Sequence, residues 1–375
     1  MLRKMGWEIT WDAIVIGAGP SGSVAARELA RSGCRVLLVD KAIFPRSKVC
    51  GCCLNGAAIE ILNRLQLGHV LADAVPLNRV KISARHRTAD VQLPRGVALS
   101  REVLDARLVE EAVKAGVDFR AGTQAKFGAE QPHGREVYLN GVATFARVVI
   151  MASGLGSAEA PAESGSRIGA GTMIAADESG DFFARGTIYM ATGRRGYVGI
   201  VRVEDNRLDM AAAFDAGFVK ECGGLGQAGE AIFDEVSWPL PVRLAELSWK
   251  GTPALTRKPA HIAAYRLFAV GDAAGYIEPF TGEGMAWAII SARLVAPIAV
   301  RAIDNWNEGQ AEEWEALHRR VLGPRQRRCK VVARVLRSPL LRQLAVRSLS
   351  LFPYLARPVI ASLNHSPHFP QPTSA

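Results

Sequence analysis

The sequence predicts an α/β fold: one parallel sheet, an inserted and mostly antiparallel second sheet, and a helical C-terminal region. Three observations carry this expectation. Residues 12–40 run from an apolar strand through a glycine loop and an alanine-rich helix into a second apolar strand. Residues 267–292 repeat the order strand, turn, helix far downstream. Between them lie short strand-like segments separated by polar turns. A chain of 375 residues can hold a large core and more than one lobe.

The first segment is the most specific. Its strand, Ala13-Ile-Val-Ile, meets Gly17-x-Gly19-x-x-Gly22, and Pro20 and Ser21 open the following helix. Gly17 permits a tight turn, Gly19 lets a pyrophosphate approach the backbone, and Gly22 lets the helix pack close to the strand. The helix start offers free N–H groups and a partial positive charge. Asp40 ends the second strand 18 residues beyond Gly22, placed to accept from an adenosine ribose. Together these predict a Rossmann-type dinucleotide site. Gly224-Leu-Gly226-Gln-Ala-Gly229 has the same spacing but neither a strand before it nor an acid-ended strand after it, so no nucleotide is expected there.

The downstream segment reads Leu267-Phe-Ala-Val-Gly271-Asp272, then Thr281-Gly282-Glu-Gly284-Met285 at a helix start. It resembles the second FAD motif of the para-hydroxybenzoate hydroxylase-like flavoproteins, which implies FAD. In that family the aspartate holds the ribityl chain and the glycine-rich helix start lies beside the pyrimidine end of the flavin. The physics agrees: reduced flavin carries negative charge there, which a helix N-terminus stabilises. Lys41, Arg46 and Lys48-Val-Cys50-Gly51, together with Met151-Ala-Ser-Gly154 in place of the hydroxylases' Asp-Gly pair, look closer to the geranylgeranyl reductase branch. The resemblance runs Cys50 and Gly51 past the flavin and puts Arg101 of Arg101-Glu-Val-Leu-Asp105 near FAD. Ala125, in Gly122-Thr-Gln-Ala125, falls at the adenine edge. It covers about residues 10–300, with specific motifs at 12–56, 101–105, 146–157 and 267–292.

Cys50, Cys52 and Cys53 fall within four residues. A structural metal needs four ligands in a tetrahedron, and Cys34, Cys222 and Cys329 show no paired spacing, so no metal is expected. Cys50 is a candidate catalytic thiol at the flavin, with packing as the plain alternative; Cys52 and Cys53 read as packing. No structural disulfide is expected.

The second lobe rests on two hairpins. Val80–Ala84 pairs with Ala89–Leu93 across a polar turn, and Gly196–Val203 with Arg207–Phe214 across Glu204-Asp-Asn. Tyr197 could face a substrate between this lobe and the flavin, or be an edge-strand tyrosine. The expected FAD-binding domain comprises residues 10–77, 98–160 and 262–300. The substrate domain comprises 78–97 and 161–261, and a basic helical region 301–375. From about Pro297 the chain reads helical, with breaks at Pro324, Pro339, Pro353 and Pro358. The last dozen or so residues look disordered.

Charge is unevenly placed. Of 46 basic and 36 acidic residues, eleven Lys and Arg and no Asp or Glu fall after residue 317, which leaves 35 against 36 before it. A basic, Leu-rich end suits an anionic membrane surface, or arginines simply solvated on packed helices. Few aromatics accompany it, so nucleic acid is not expected. The basic start at residues 1–5 runs into a strand and a glycine loop, not a cleavage site, so a cytoplasmic protein is expected, with possible peripheral contact at the inner face of the membrane.

These readings converge on an FAD-dependent oxidoreductase acting on a lipophilic small molecule (isoprenoid, polyketide or aromatic) as a reductase or dehydrogenase. The alternatives are an aromatic monooxygenase using NAD(P)H and oxygen, or an inert membrane-associated flavin-binding protein. A halogenase is disfavoured because none of the seven tryptophans forms Trp-x-Trp. No separate nicotinamide domain is evident, so NAD(P)H would dock transiently as reductant or another reductase would supply electrons. No motif places a general base at the flavin.

Overall fold

A computed structural model describes residues 11–156, 161–178, 180–278 and 280–366. Residues 1–5, Ser157 of the 146–157 motif and most of the C-terminal dozen lie outside the described residues.

Trp11–Ile16 sits inside the first sheet, parallel to Val36–Val39 on one side and Val142–Met151 on the other. Asp118–Arg120 and Leu267–Ala269 extend it in parallel, and Ala263–Ala264 closes the far edge. Strands buried on both faces must be apolar throughout, which is why Val-Leu-Leu-Val at 36–39 is entirely buried. Helices α1 (Pro20–Arg31) and α3 (Arg101–Lys114) pack on the first sheet, and α2 (Gly56–Arg64) follows the short strand Cys53–Asn55. A hairpin of Ala125–Gln131 and Gly134–Leu139 continues from Val142–Met151.

The second sheet has seven strands. Its order is Lys250–Ala254, Ile168–Ile174, Leu208–Phe214, Gly196–Arg202, Thr187–Thr192, Arg79–Ala84, Arg87–Gln92. Every pairing is antiparallel except Thr187–Thr192 with Arg79–Ala84. Helices α4 (Ala216–Cys222) and α5 (Leu225–Val236) follow the hairpin, and α5 buries Ile232 and Phe233 against Phe183 and Tyr189 of the sheet side. The second GxGxxG spacing opens α5; a Cβ on Gly226 would lie 2.2 Å from the Leu244 carbonyl oxygen, so this glycine serves packing. A small third sheet joins Cys53–Asn55, Gly96–Ala98 and Val75–Pro76. Strands of two or three residues leave no alternation to read, and the sequence did not signal it.

The C-terminal half of the core is helical: α6 (Gly284–Asp304), α7 (Gly309–Arg337), α8 (Pro339–Leu351) and α9 (Arg357–Asn364). By length and composition α6 could cross a membrane, but it packs instead against α1, α2 and α7. Pro324 does not break the chain as expected. It sits inside α7, where buried Leu322, Arg325 and Cys329 hold the helix through the missing hydrogen bond. Pro339, Pro353 and Pro358 do mark new turns, as proline suits a first helical turn. Trp314, fully buried, donates its indole N–H to the Ala269 carbonyl at 3.0 Å, which locks α7 to the first sheet.

Gly22 and Gly323 illustrate opposite demands on a helical glycine. A Cβ on Gly22 would lie 1.7 Å from the Gly17 carbonyl oxygen, whereas on Gly323 its nearest neighbour is 4.0 Å away. Gly22→Ala should therefore lower stability by about 1–3 kcal/mol through overpacking. Gly323→Ala should raise it by about 0.5–1 kcal/mol through helix propensity. Denaturant titration of the two variants reads both signs; a neutral Gly22→Ala would contradict the close packing of α1 on the loop.

Candidate active site

A cavity of about 1100 Å³ runs from the first glycine loop, between the two large sheets, to the undersides of α7, α8 and α9. At the loop, Gly17 takes φ +105°, and a Cβ there would meet the Ala152 carbonyl oxygen at 2.3 Å. Beyond Gly19 the space is open until the Arg101 and Arg46 guanidinium nitrogens, 3.6 and 3.8 Å from where its Cβ would be. Pro20, Ser21, Asp40, Lys41, Arg46, Cys50, Gly51, Arg101, Ala125, Asp272, Gly282, Gly284 and Met285 all line the cavity. Gly22 and Gly271 do not. They are pressed against the Gly17 carbonyl and the Ser21 hydroxyl, so they shape the two turns from behind instead of touching a ligand.

The charges near the loop are unbalanced. Asp40 accepts from the Ala18 N–H at 2.8 Å and the Ala42 N–H at 2.9 Å. Arg101 grips fully buried Asp105 with two bonds of 2.8 and 2.7 Å, so it is no surface ion pair. Arg46 reaches Asp40 at 3.4 Å and Asp105 at 3.3 Å. Lys48 has no carboxylate within ion-pair distance among the described residues. Burial and the neighbouring Arg101 push its ammonium pKa down, while Asp272 pulls the other way. Arg46 Nε and Ser153 Oγ are buried with no partner.

An anion fits this wall. Three cations and the α1 N-terminus converge where a pyrophosphate would lie, and the orphaned donors would be satisfied by its oxygens. At the other turn, Asp272 faces the cavity with its pKa raised by burial and lowered by Lys48. The start of α6 lies beside it, and Ala125 marks the opposite end. The residues present therefore fit FAD laid from Ala125 to Gly284. Lys48 was quoted in the sequence motif but not singled out there. Its charge, in a segment with no acid close by, was the available signal.

Residues 10–145 match the family described as FAD binding domain. The chain is 28% identical over 326 residues to the menaquinone reductase of Mycobacterium tuberculosis, covering 76% of each. It is 28% identical to digeranylgeranylglycerophospholipid reductase 1 of Methanopyrus kandleri, covering 78% of this chain and 81% of that one. Among solved structures, a geranylgeranyl bacteriochlorophyll reductase-like protein from Thermoplasma acidophilum superposes with a TM-score of 0.75 at 22% identity, covering 91% and 92%. A flavin-dependent brominase does so with 0.78 at 17%, covering 94% and 93%; at these identities both show the fold.

The protein is an FAD-dependent oxidoreductase. The resemblance read from its two motifs stands, as does the α/β fold with an inserted antiparallel sheet.

In this oxidoreductase Cys50 lies in the cavity wall, half-buried. A hydrogen bond from Cys52 and the charge of Arg101 overcome burial and lower its thiol pKa to about 6. Cys52 and Cys53 are pushed up, Cys52 first by its bond to Cys50 and Cys53 first by burial. No cluster able to hold a metal occurs among the described residues. Tyr197 lies on an interior strand, not an edge, and stands edge-to-face with Phe280 at 5.1 Å on the cavity wall. Burial raises its phenol pKa, so it is a neutral donor. Phe280, Tyr276 and buried Asp209, on the strand facing the cysteines, were not identified from the sequence.

Lys48→Met keeps the volume and removes the unpaired buried charge. FAD should then bind roughly 10–100-fold more weakly, the equivalent of one charge-assisted hydrogen bond, while the flavin-free protein stays at least as stable. Flavin fluorescence titration and thermal unfolding measure the two. Unchanged FAD affinity would remove Lys48 from the site.

Proposed function

We propose that the protein reduces a carbon–carbon double bond in a lipophilic, isoprenoid-bearing molecule. The observation that carries this is the far half of the cavity. Beyond the flavin position its wall is mainly apolar, drawn from Val80, Ile82 and Val91 of the second sheet and Val335, Leu349 and Ile360 of the C-terminal helices, with Arg95 and Arg342 among the few charged residues on it. A long prenyl chain suits such a tunnel, because each buried methylene contributes about 0.8 kcal/mol. The named relatives that act on menaquinone and on geranylgeranyl lipids support the same reading.

Bound FAD supplies the hydride; the chain's residues orient the alkene and exclude water. Tyr197 and Phe280, edge-to-face at 5.1 Å, form an aromatic corner of the cavity, which Cys50 also lines. NAD(P)H docking transiently, or another reductase, would recharge the flavin. The monooxygenase reading remains the second, since the fold is shared with a flavin-dependent brominase. Anaerobic incubation of dithionite-reduced protein with menaquinone or a geranylgeranyl lipid should give product carrying two more hydrogens by mass spectrometry. Oxygen-dependent hydroxylation of an aromatic compound, with no such product, would replace this function by the monooxygenase.

We also infer that the protein is cytoplasmic and meets the inner face of a membrane through α8, α9 and the turn between them. Leu340, Leu341, Leu344, Leu351, Phe352 and Tyr354 are exposed there, Leu340 to 74%. The same segment closes the tunnel through Val346, Leu349, Leu355 and Ile360, so its two faces are both apolar. Exposed Arg347 and Arg357, with no acid on these helices, complement anionic headgroups. Leu341→Ser, Leu344→Ser and Phe352→Ser combined should cut sedimentation with phosphatidylglycerol vesicles more than about tenfold, since each side chain contributes about 1.5–3 kcal/mol on burial. Undiminished binding would rule this surface out.

A further inference from the structure

Helix α8 carries leucines outward and an arginine inward. Leu340, Leu341, Leu344 and Leu351 are exposed, whereas Arg342 is 1% exposed and among the largest fully buried side chains. Arg342, Ala345, Val346 and Leu349 all line the cavity. Steps of three, four and seven residues from Arg342 place them on one helical face, which opens with a charge and continues apolar. Packing alone does not select such a residue. A buried guanidinium is costly unless it is paired, and arginine keeps its proton.

The partners of Arg342 do not balance it. One terminal nitrogen donates to the Gly193 carbonyl, in the turn between Thr187–Thr192 and Gly196–Arg202, and Nε is buried with no partner. On α7, Arg325 and Arg337 reach Glu283 and Glu278 at 3.0 and 2.9 Å. Arg342 has no carboxylate at ion-pair distance among the described residues. Glu235 of α5 lies on the other side of Gly193, where its Oε2 accepts from the Arg194 N–H at 2.9 Å. Burial weakens the hold of Arg342 on its proton; Glu235 opposes that, and Arg167, Arg85 and Arg194 add to it. Arg95, elsewhere on this wall, is exposed, so water satisfies it. A latch between α8 and the Gly193 turn would need a single N–H. The guanidinium has five, and its Nε edge is left over.

The geometry points to Arg342 as the anchor of an oxyanion, a carboxylate or a phosphate, at the head of the isoprenoid substrate. The inference rests on the isoprenoid reading above and adds to it: the molecule in the cavity is an acidic prenyl lipid, not a neutral one. An oxyanion seated on the free edge of the guanidinium supplies the missing charge and accepts the unused N–H. Carboxylates and phosphates suit that planar fork. The prenyl chain then lies over Val346 and Leu349, which cluster with Ile82 of the second sheet. A neutral head leaves the guanidinium as it was. Arg342 therefore sorts ligands by charge, at a place on the wall that takes no part in hydride transfer.

The test compares three ligands with the same chain: geranylgeranoic acid, geranylgeranyl phosphate and geranylgeraniol. Isothermal titration calorimetry on the FAD-loaded full-length protein gives their affinities without turnover. At least one of the two acidic ligands should bind about tenfold or more tightly than the alcohol, and the acidic arms show which oxyanion the site prefers. Arg342→Met should bring the preferred acid within about threefold of the alcohol, with the alcohol bound as in the wild type. A general loss of packing would weaken all three ligands together, so the ratio separates recognition from folding. Arg342→Lys, which keeps the charge without the fork, should lose at least about threefold of the preference. It decides the matter if thermal unfolding shows that Arg342→Met does not fold. A wild type indifferent to the head group, or a preference unchanged in Arg342→Met or, failing that, in Arg342→Lys, would overturn the anchor. Binding with the expected preference but no reduction of any of the three would leave the anchor standing and count against the reductase reading alone.

Discussion

Arg46, Lys48 and Arg101 share one buried wall with too few carboxylates, and the rest of the site follows from neutralising them. Arg101 and Arg46 spend their charge on Asp105 and Asp40, which are themselves held by backbone N–H groups or by α3. Lys48 is left over. A charge in a low-dielectric interior is costly until an opposite charge arrives. The cavity therefore selects an anion at this place, and binding it stabilises the folded chain by linkage. The glycine loop and the α1 N-terminus add a backbone contribution that side chains alone could not supply.

The same logic extends to the C-terminal region, where the arginines divide by environment. Arg325 pairs with fully buried Glu283 at 3.0 Å, immediately before α6. Arg337 reaches buried Glu278 at 2.9 Å, which also holds Arg167 of the second lobe at 3.0 Å. These pairs fasten α7 to the turn that would meet the flavin and to the inserted sheet at once. Removing either partner would strand a buried charge, so the helix is part of the site's frame, not an appendage. The arginines of α8 and α9 that remain exposed are the ones free to meet an anionic surface.

The inserted sheet works on both faces. Its outer face carries Tyr189, which packs with Phe183 against Phe233 of α5 in a conventional aromatic core. The inner face has small residues, Gly199 and Ala211, opposite the flavin, and so leaves room for a ligand where large side chains would have filled it. At the two ends of that inner face stand Tyr197, whose phenol pKa burial pushes up, and Asp209, whose carboxyl pKa burial also pushes up.

By itself the sequence determined the cofactor and the general plan. Turns that demand glycine at fixed spacing, between a buried strand and a helix, leave a local signature that needs no knowledge of distant contacts. That holds for Gly17, Gly19 and Asp40, and for Asp272 with Gly284. It also held for the hairpins, whose alternation and polar turns are local. What only the tertiary structure decided depends on partners far away along the chain. Pro324 looked like a break until buried neighbours held the helix through it. Lys48 looked like any lysine until the fold buried it with no carboxylate at ion-pair distance among the described residues. Asp209 sat unremarked in an apolar strand, because nothing within five residues of it reveals that Cys52 lies opposite. Local geometry is written in short spacing, whereas the solvation and charge state of a side chain belong to whatever the fold brings against it.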